Sequence, residues 1–299
     1  MARLAKIASR RVLMGAMLAG LLVSAPVCWP VSAAQSGPSD IPNFAPNPNV
    51  GWVSYGLEFI PVPGEPHPVA ADPAHPFIYN AADYLTARPD FKVPGPPTFA
   101  VADLSNPILQ PWVREELRKV KEQVLAGKPL DKRQATCWPI GVPGFLLYPV
   151  QPVYFIQSPK EVVMIWQSDD LPRHVYLNVP HPAHVKPSWF GDSVGHYEGD
   201  TLVVDTIGLN TRTSVDQFRT PHSEQLHVVE RFRMIDGGKT MEVKVHVEDP
   251  GAFTTPWNAS QRYTRVEQDP LIESSCAENS PNYFGQDLEP IPQAKTPDF

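Results

Sequence analysis

Residues 224–248 read EQLHVVERFRMIDGGKTMEVKVHVE, and this stretch decides the fold class. In its second half Met241, Val243, Val245 and Val247 alternate with Glu242, Lys244, His246 and Glu248. That period of two defines a strand with one apolar and one wet face, and it makes His246 a surface residue. The first half obeys the same rule: Leu226, Val228, Phe232 and Met234 share a face, and His227, Arg231 and Arg233 take the other. The Asp-Gly-Gly between them is turn chemistry, so the two strands pair antiparallel. Glu230 stands in the middle of the apolar face, where a carboxylate must be paired or neutralised.

Six more segments carry strand character: VYFIQ (153–157), EVVMIWQ (161–167), RHVYLNV (173–179), DSVGHY (192–197), TLVVDTI (201–207) and SQRYTRV (260–266). Eight strands joined by turn residues predict a mainly-β domain over 137–276. The expected form is an antiparallel up-and-down, lipocalin-like barrel or a strongly curved meander, because closure removes exposed edges. An open half-barrel packed on a helix is the alternative. Residues 277–299 form a C-terminal tail.

Upstream, residues 35–104 are dense in proline, as in IPVPGEPHPVAADPAHP, yet rich in aromatic residues. They predict an extended arm lying on the domain rather than a disordered linker. One amphipathic helix is expected over 105–127. Ser105 or Asn106 caps it, Pro107 occupies its first turn, and Trp112, Val113, Leu117, Val120 and Val124 form its apolar face. Residues 1–34 have the basic start, apolar run and small-residue end of an export signal, too short and proline-broken for a membrane span. The chain is therefore expected in the periplasm or secreted, with the general and twin-arginine routes both open. Losing Arg3, Lys6, Arg10 and Arg11 takes the formal charge from −7 to −11, a surface that disfavours nucleic acid. Cys137 and Cys276 remain, and in an oxidising compartment they are expected to form a disulfide.

Two groups of residues suggest chemistry. Asp205 in TLVVDTI is placed on the inward face with Val203 and Ile207, beside Glu230, so the two carboxylates with Arg231 or Arg265 nearby supply an acid and a base. The structural alternative is an internal ion pair between one of them and an arginine such as Arg262 or Arg265. The second group is the loop GLNTRTSVDQFRTPHSEQ (208–225), with Asn210, Arg212, Asp216, His222 and Glu224. His222 oriented by Asp216 has the composition of a general base, or else the two simply hold the loop. Trp166, Tyr176, Phe232 and Tyr263 are expected to line a ligand cavity inside the barrel.

The spacing His222, Glu224, His227 resembles a metal motif but falls on a strand, where His227 opposes Glu224, so no metal is expected. If one binds, His181 and His184 of the HPAH loop are its ligands. No serine elbow, phosphate loop or dinucleotide fingerprint is present, and no cofactor is expected.

The segments SVGHYEGDTLVVDTIGLNTRT, PHSEQLHVVERF, VEDPGAFTTPW and CWPIGVPGFLLYP resemble a family of exported bacterial proteins, many uncharacterised, with a Ser-x-Gly-x-(Trp/Tyr)-Glu-Gly-Asp-Thr-Leu-Val-Val-(Asp/Glu)-Thr signature. The likeness spans roughly 107–276 and implies a fold more than a reaction. Two departures stand out: YLNVPHPAH replaces an Asp-Gly-Arg-x-His run, and Tyr197 takes a position that is often tryptophan.

Together these readings favour a cofactor-independent lyase, isomerase or hydrolase acting by acid/base chemistry on a small hydrophobic or aromatic molecule. The alternatives are a lipocalin-like carrier without turnover and a structural envelope protein.

Overall fold

A computed structural model describes residues 41–54, 56–75, 101–126, 138–147, 151–167, 171–267 and 271. The expected export signal, Cys137, Cys276 and the tail after 276 lie outside them. Among the described residues there are ten strands and one α-helix: β1 Val50–Ser54, β2 Ile60–Pro61, α1 Pro111–Leu125, β3 Val153–Gln157, β4 Glu161–Trp166, β5 Pro172–Leu177, β6 Asp192–Glu198, β7 Thr201–Ile207, β8 His227–Ile235, β9 Thr240–Glu248 and β10 Trp257–Glu267. Strands β3 to β10 follow one another around the sheet in chain order. β1 pairs with both β3 and β10, which closes a nine-stranded barrel, and β2 adds a short pairing to β10.

All eight expected strands are present, and two features correct the antiparallel eight-stranded picture. The first is β1. It belongs to the proline-rich arm, and each of its five residues is buried. Trp52 lies opposite Val153 on one side and Arg265 on the other, and its indole N–H donates to the Phe44 carbonyl at 2.9 Å. The arm thus supplies the stave that seals the barrel, removing the two edges that β3 and β10 would otherwise expose. The second is that β5 and β6 run parallel, with Val175 opposite Ser193 and Leu177 opposite Gly195. The segment 178–191 between them is long enough for the crossover a parallel pair requires. It packs against the barrel where Gly208, at φ +70°, leaves room for Val185: a Cβ there would stand 2.2 Å from the valine's Cγ1.

The helix begins later than its sequence suggests. Asn106 does cap a turn, accepting from the Ile108 amide at 3.2 Å, but its Nδ2 is committed to the carbonyls of His67 and Pro68 in the arm. Gln110 becomes the N-cap and Pro111 the first helical residue. Val113 and Leu117 are buried, whereas Trp112 is exposed and donates to the Gly251 carbonyl at 2.7 Å.

Inside, Leu202, Val204, Val228, Phe232, Met241, Val243, Val245, Val247 and Met164 join Trp52, Trp166 and Trp257 in one apolar core. Arg173 and Glu230 lie within it, both side chains at 0% exposure.

Candidate active site

The register of β7 on β8 determines what each face can do. Val204 sits directly opposite Glu230, and Asp205 opposite Val229. Opposed residues share a face, so Leu202, Val204 and Thr206 point inward with Glu230, and Asp205 points out. The expected inward pair Asp205/Glu230 therefore does not form. Both phases of TLVVDTI are apolar enough to be buried, and the heavier row of Val203 and Ile207 suggested the wrong one.

Glu230 instead meets Arg173 of β5. The guanidinium Nη1 donates to Oε1 at 3.0 Å, and Nη2 reaches Oε2 and also the Thr206 hydroxyl at 3.0 Å. Ser193 accepts from the same guanidinium and lies 2.8 Å from Thr206. Phe145 covers its face at 5.8 Å. The internal ion pair is thus real, with Arg173 in place of Arg262 or Arg265, which are paired with Glu242 and Glu267 on the exterior. Nearby Tyr263 donates to the Leu146 carbonyl at 2.6 Å, and burial, with Glu230 second, pushes its hydroxyl pKa well up. This cluster ties four consecutive strands together across the parallel joint.

Of the expected cavity walls, Trp166, Phe232 and Tyr263 point into this packed interior. Tyr176 does not: the inward residues of β5 are Arg173, Val175 and Leu177, leaving Tyr176 exposed and stacked on His174. His222 and Asp216 are both buried within their loop. The imidazole Nδ1 lies 2.8 Å from the Ser223 carbonyl and Nε2 2.7 Å from the Thr213 hydroxyl. Asp216 Oδ1 accepts the amides of Phe218 and Thr220. Glu224 and His184 are exposed, and Arg231 pairs with Glu198 on the outer face.

That outer face also carries a cluster the sequence did not assemble. Asp205 Oδ1 receives Nε2 of His227, its neighbour on β8, at 2.9 Å and Nε2 of His181, from the crossover segment, at 3.1 Å. His181 Nδ1 stands 2.6 Å from Asp192 Oδ1, and His227 Nδ1 stands 4.0 Å from Glu248 Oε2. Two imidazoles from separate segments converge on one carboxylate oxygen, each with a further carboxylate behind it. The His227 hydrogen bond, opposed by partial burial and aided by His181, lowers the Asp205 pKa. The same bond raises that of His227. His181 thus faces a carboxylate at each of its ring nitrogens.

No family model, curated protein or solved structure matches the chain. Among the described residues, no group of three or more His, Cys, Asp or Glu is arranged to hold a metal ion. Nor is any helix there long and apolar enough to cross a membrane.

The signal for His227 was available in the sequence: the alternation that turns Glu230 inward turns His227 outward. His181 had no such signal, because nothing local tells which strand a crossover loop will lie on.

Proposed function

We propose that this protein is an exported, cofactor-independent enzyme of the lyase, isomerase or hydrolase type. It works by acid/base chemistry on a small, partly apolar molecule held at the outer face of the barrel, with His227 as the proton-transfer group. The observation that carries this reading is the double convergence of His181 and His227 on Asp205 Oδ1. A carboxylate behind an imidazole fixes its tautomer and strengthens it as a base, the arrangement general base catalysis uses. His227 Nδ1, at 4.0 Å from Glu248, is beyond hydrogen-bond reach of that carboxylate and is the nitrogen that exchanges a proton with a ligand. His181, fastened at both nitrogens, braces Asp205. Val194 and Val229, which lie opposite Asp205 on the two flanking strands, provide apolar surface around it.

The test is a mass-spectrometric screen of small aromatic and aliphatic esters, hydroxy acids and unsaturated acids with the purified protein. A transformed compound should lose its turnover by about 100-fold or more in His227→Gln while the variant stays folded at the assay temperature, the range general base removal spans. Turnover indifferent to His227 but lost in His222→Ala would reject this site in favour of the loop.

A further inference from the structure

At the end of the barrel where the crossover segment enters β6, three loop segments meet in a fixed arrangement. Ser188 forms a parallel bridge with Leu209: its amide donates to the Gly208 carbonyl at 3.0 Å, and its own carbonyl accepts from Asn210 N at 2.9 Å. Gly141, at φ +79°, lies so close to Thr213 that a Cβ would stand 2.6 Å from its side chain. Ser214 N reaches the Ile140 carbonyl. Asn210 Oδ1 accepts the Arg212 amide at 3.0 Å, shaping the turn that projects Arg212 outward.

This frame brings Trp138 and Trp189 together, ring centroids 5.5 Å apart at 45°, and lays the Arg212 guanidinium over Trp138 at 5.8 Å. Both indoles are half-buried and Arg212 is exposed. Arg118, Arg173, Arg231, Arg233, Arg262 and Arg265 all pair with carboxylates; among the described residues Arg212 has no ion pair. A guanidinium set on an indole keeps its in-plane donors free for a bidentate anion, while the indole edges and faces accept a flat ring. Trp189 is three residues from Asp192, the partner of His181, so their Cα atoms lie at most about 10 Å apart.

We propose that Trp138, Trp189 and Arg212 form the recognition subsite of the outer-face centre, and that its ligand is a small aromatic carboxylate. As the substrate class for the acid/base centre, this inference rests on the reading above; as a binding site it stands on its own geometry.

The experiment uses the purified protein with benzoate and benzyl alcohol as probes, followed by tryptophan fluorescence and titration calorimetry. Benzoate should bind saturably and about tenfold or more tightly than the uncharged alcohol, as expected when a site built for an anion loses it. Arg212→Gln should erase that preference, and Trp189→Ala should weaken both probes. Equal binding of the two, or benzoate binding unmoved by Arg212→Gln, would overturn the subsite. His227→Gln should leave benzoate binding within about twofold. Binding by wild type and His227→Gln alike, with no turnover of any aromatic acid, would reject the acid/base reading and leave the subsite standing.

Discussion

Asp205 and Glu230 stand on opposite faces of the same pair of strands, one residue out of register with each other. A single position therefore separates a buried, charge-neutralised lock from a partly exposed imidazole cluster, because side chains alternate along a strand with a period of two. The carboxylate that sequence alternation placed inside is structural, and the one it misplaced is at the candidate centre.

The lock can be tested directly. Glu230→Ala leaves the Arg173 guanidinium buried without its counter-ion, a change that costs about 3–5 kcal/mol and, for a domain of this size, a melting temperature lower by roughly 10 °C. The double replacement Arg173→Met with Glu230→Leu should recover most of that loss, since an apolar pair carries no unpaired charge. Thermal unfolding followed by circular dichroism distinguishes the two; a single mutant as mild as a surface change would refute the lock.

The parallel joint predicts a cross-linking pattern. Tyr176 and Val194 are paired on the outer face, so cysteines at those two positions should oxidise to a disulfide readily, their Cα atoms lying within the span such a bond bridges. A Tyr176→Cys, Glu198→Cys pair should not. Peptide mapping after mild oxidation reads the register, and the opposite preference would mean β5 and β6 are not joined this way.

Most of the barrel was legible in the sequence, and the exceptions have physical causes. Strands β8 and β9 are amphipathic, so their faces and their partnership follow from alternation alone. TLVVDTI has apolar residues in both phases, and only its pairing with β8 selects one. VGWVS is five residues among prolines, too short for a periodic signal, and its place is set by tertiary contacts of Trp52 with Phe44 and the flanking strands. The parallel β5–β6 pair was signalled only by the length of segment 178–191, a cue that the turn-like prolines in it obscured. The His181 half of the centre arrives on that same segment and could not be located before the crossover was known.

Asp72 joins the arm to the helix. Its pKa is held well below the usual carboxylate range, first by the Lys121 hydrogen bond, then by His75 and the Ala74 amide. A depressed carboxylate contributes stability above its ordinary pKa near 4 and loses it as the pH falls through the folded value. Asp72→Asn should therefore lower the melting temperature at pH 7 and have little effect in strong acid. An equal penalty at both pH values would show that the side chain acts by shape and not by charge.

For the outer-face centre the signs of the two groups differ. His227, raised by Asp205, stabilises the fold below its ordinary pKa near 6.5 and loses that contribution as the pH rises through its folded value. Asp205, lowered chiefly by His227, contributes above its ordinary value near 4 and fails as the pH falls. Their joint contribution is fullest between about pH 4 and 6.5. The melting-temperature difference between wild type and His227→Gln should thus be larger at pH 5.5 than at pH 9, and a difference that grows with pH would mean the pair is not charge-coupled.

The imidazole nitrogens themselves offer the sharpest evidence on whether His227 is a base set up by Asp205. A pH titration of 15N-labelled histidine side chains by two-dimensional NMR should show His227 titrating above the ordinary histidine value in the wild type, returning toward it in Asp205→Asn and staying raised in Arg212→Gln. A His227 resonance that titrates at or below the ordinary value, unmoved by Asp205→Asn, would show that no such centre exists on the outer face.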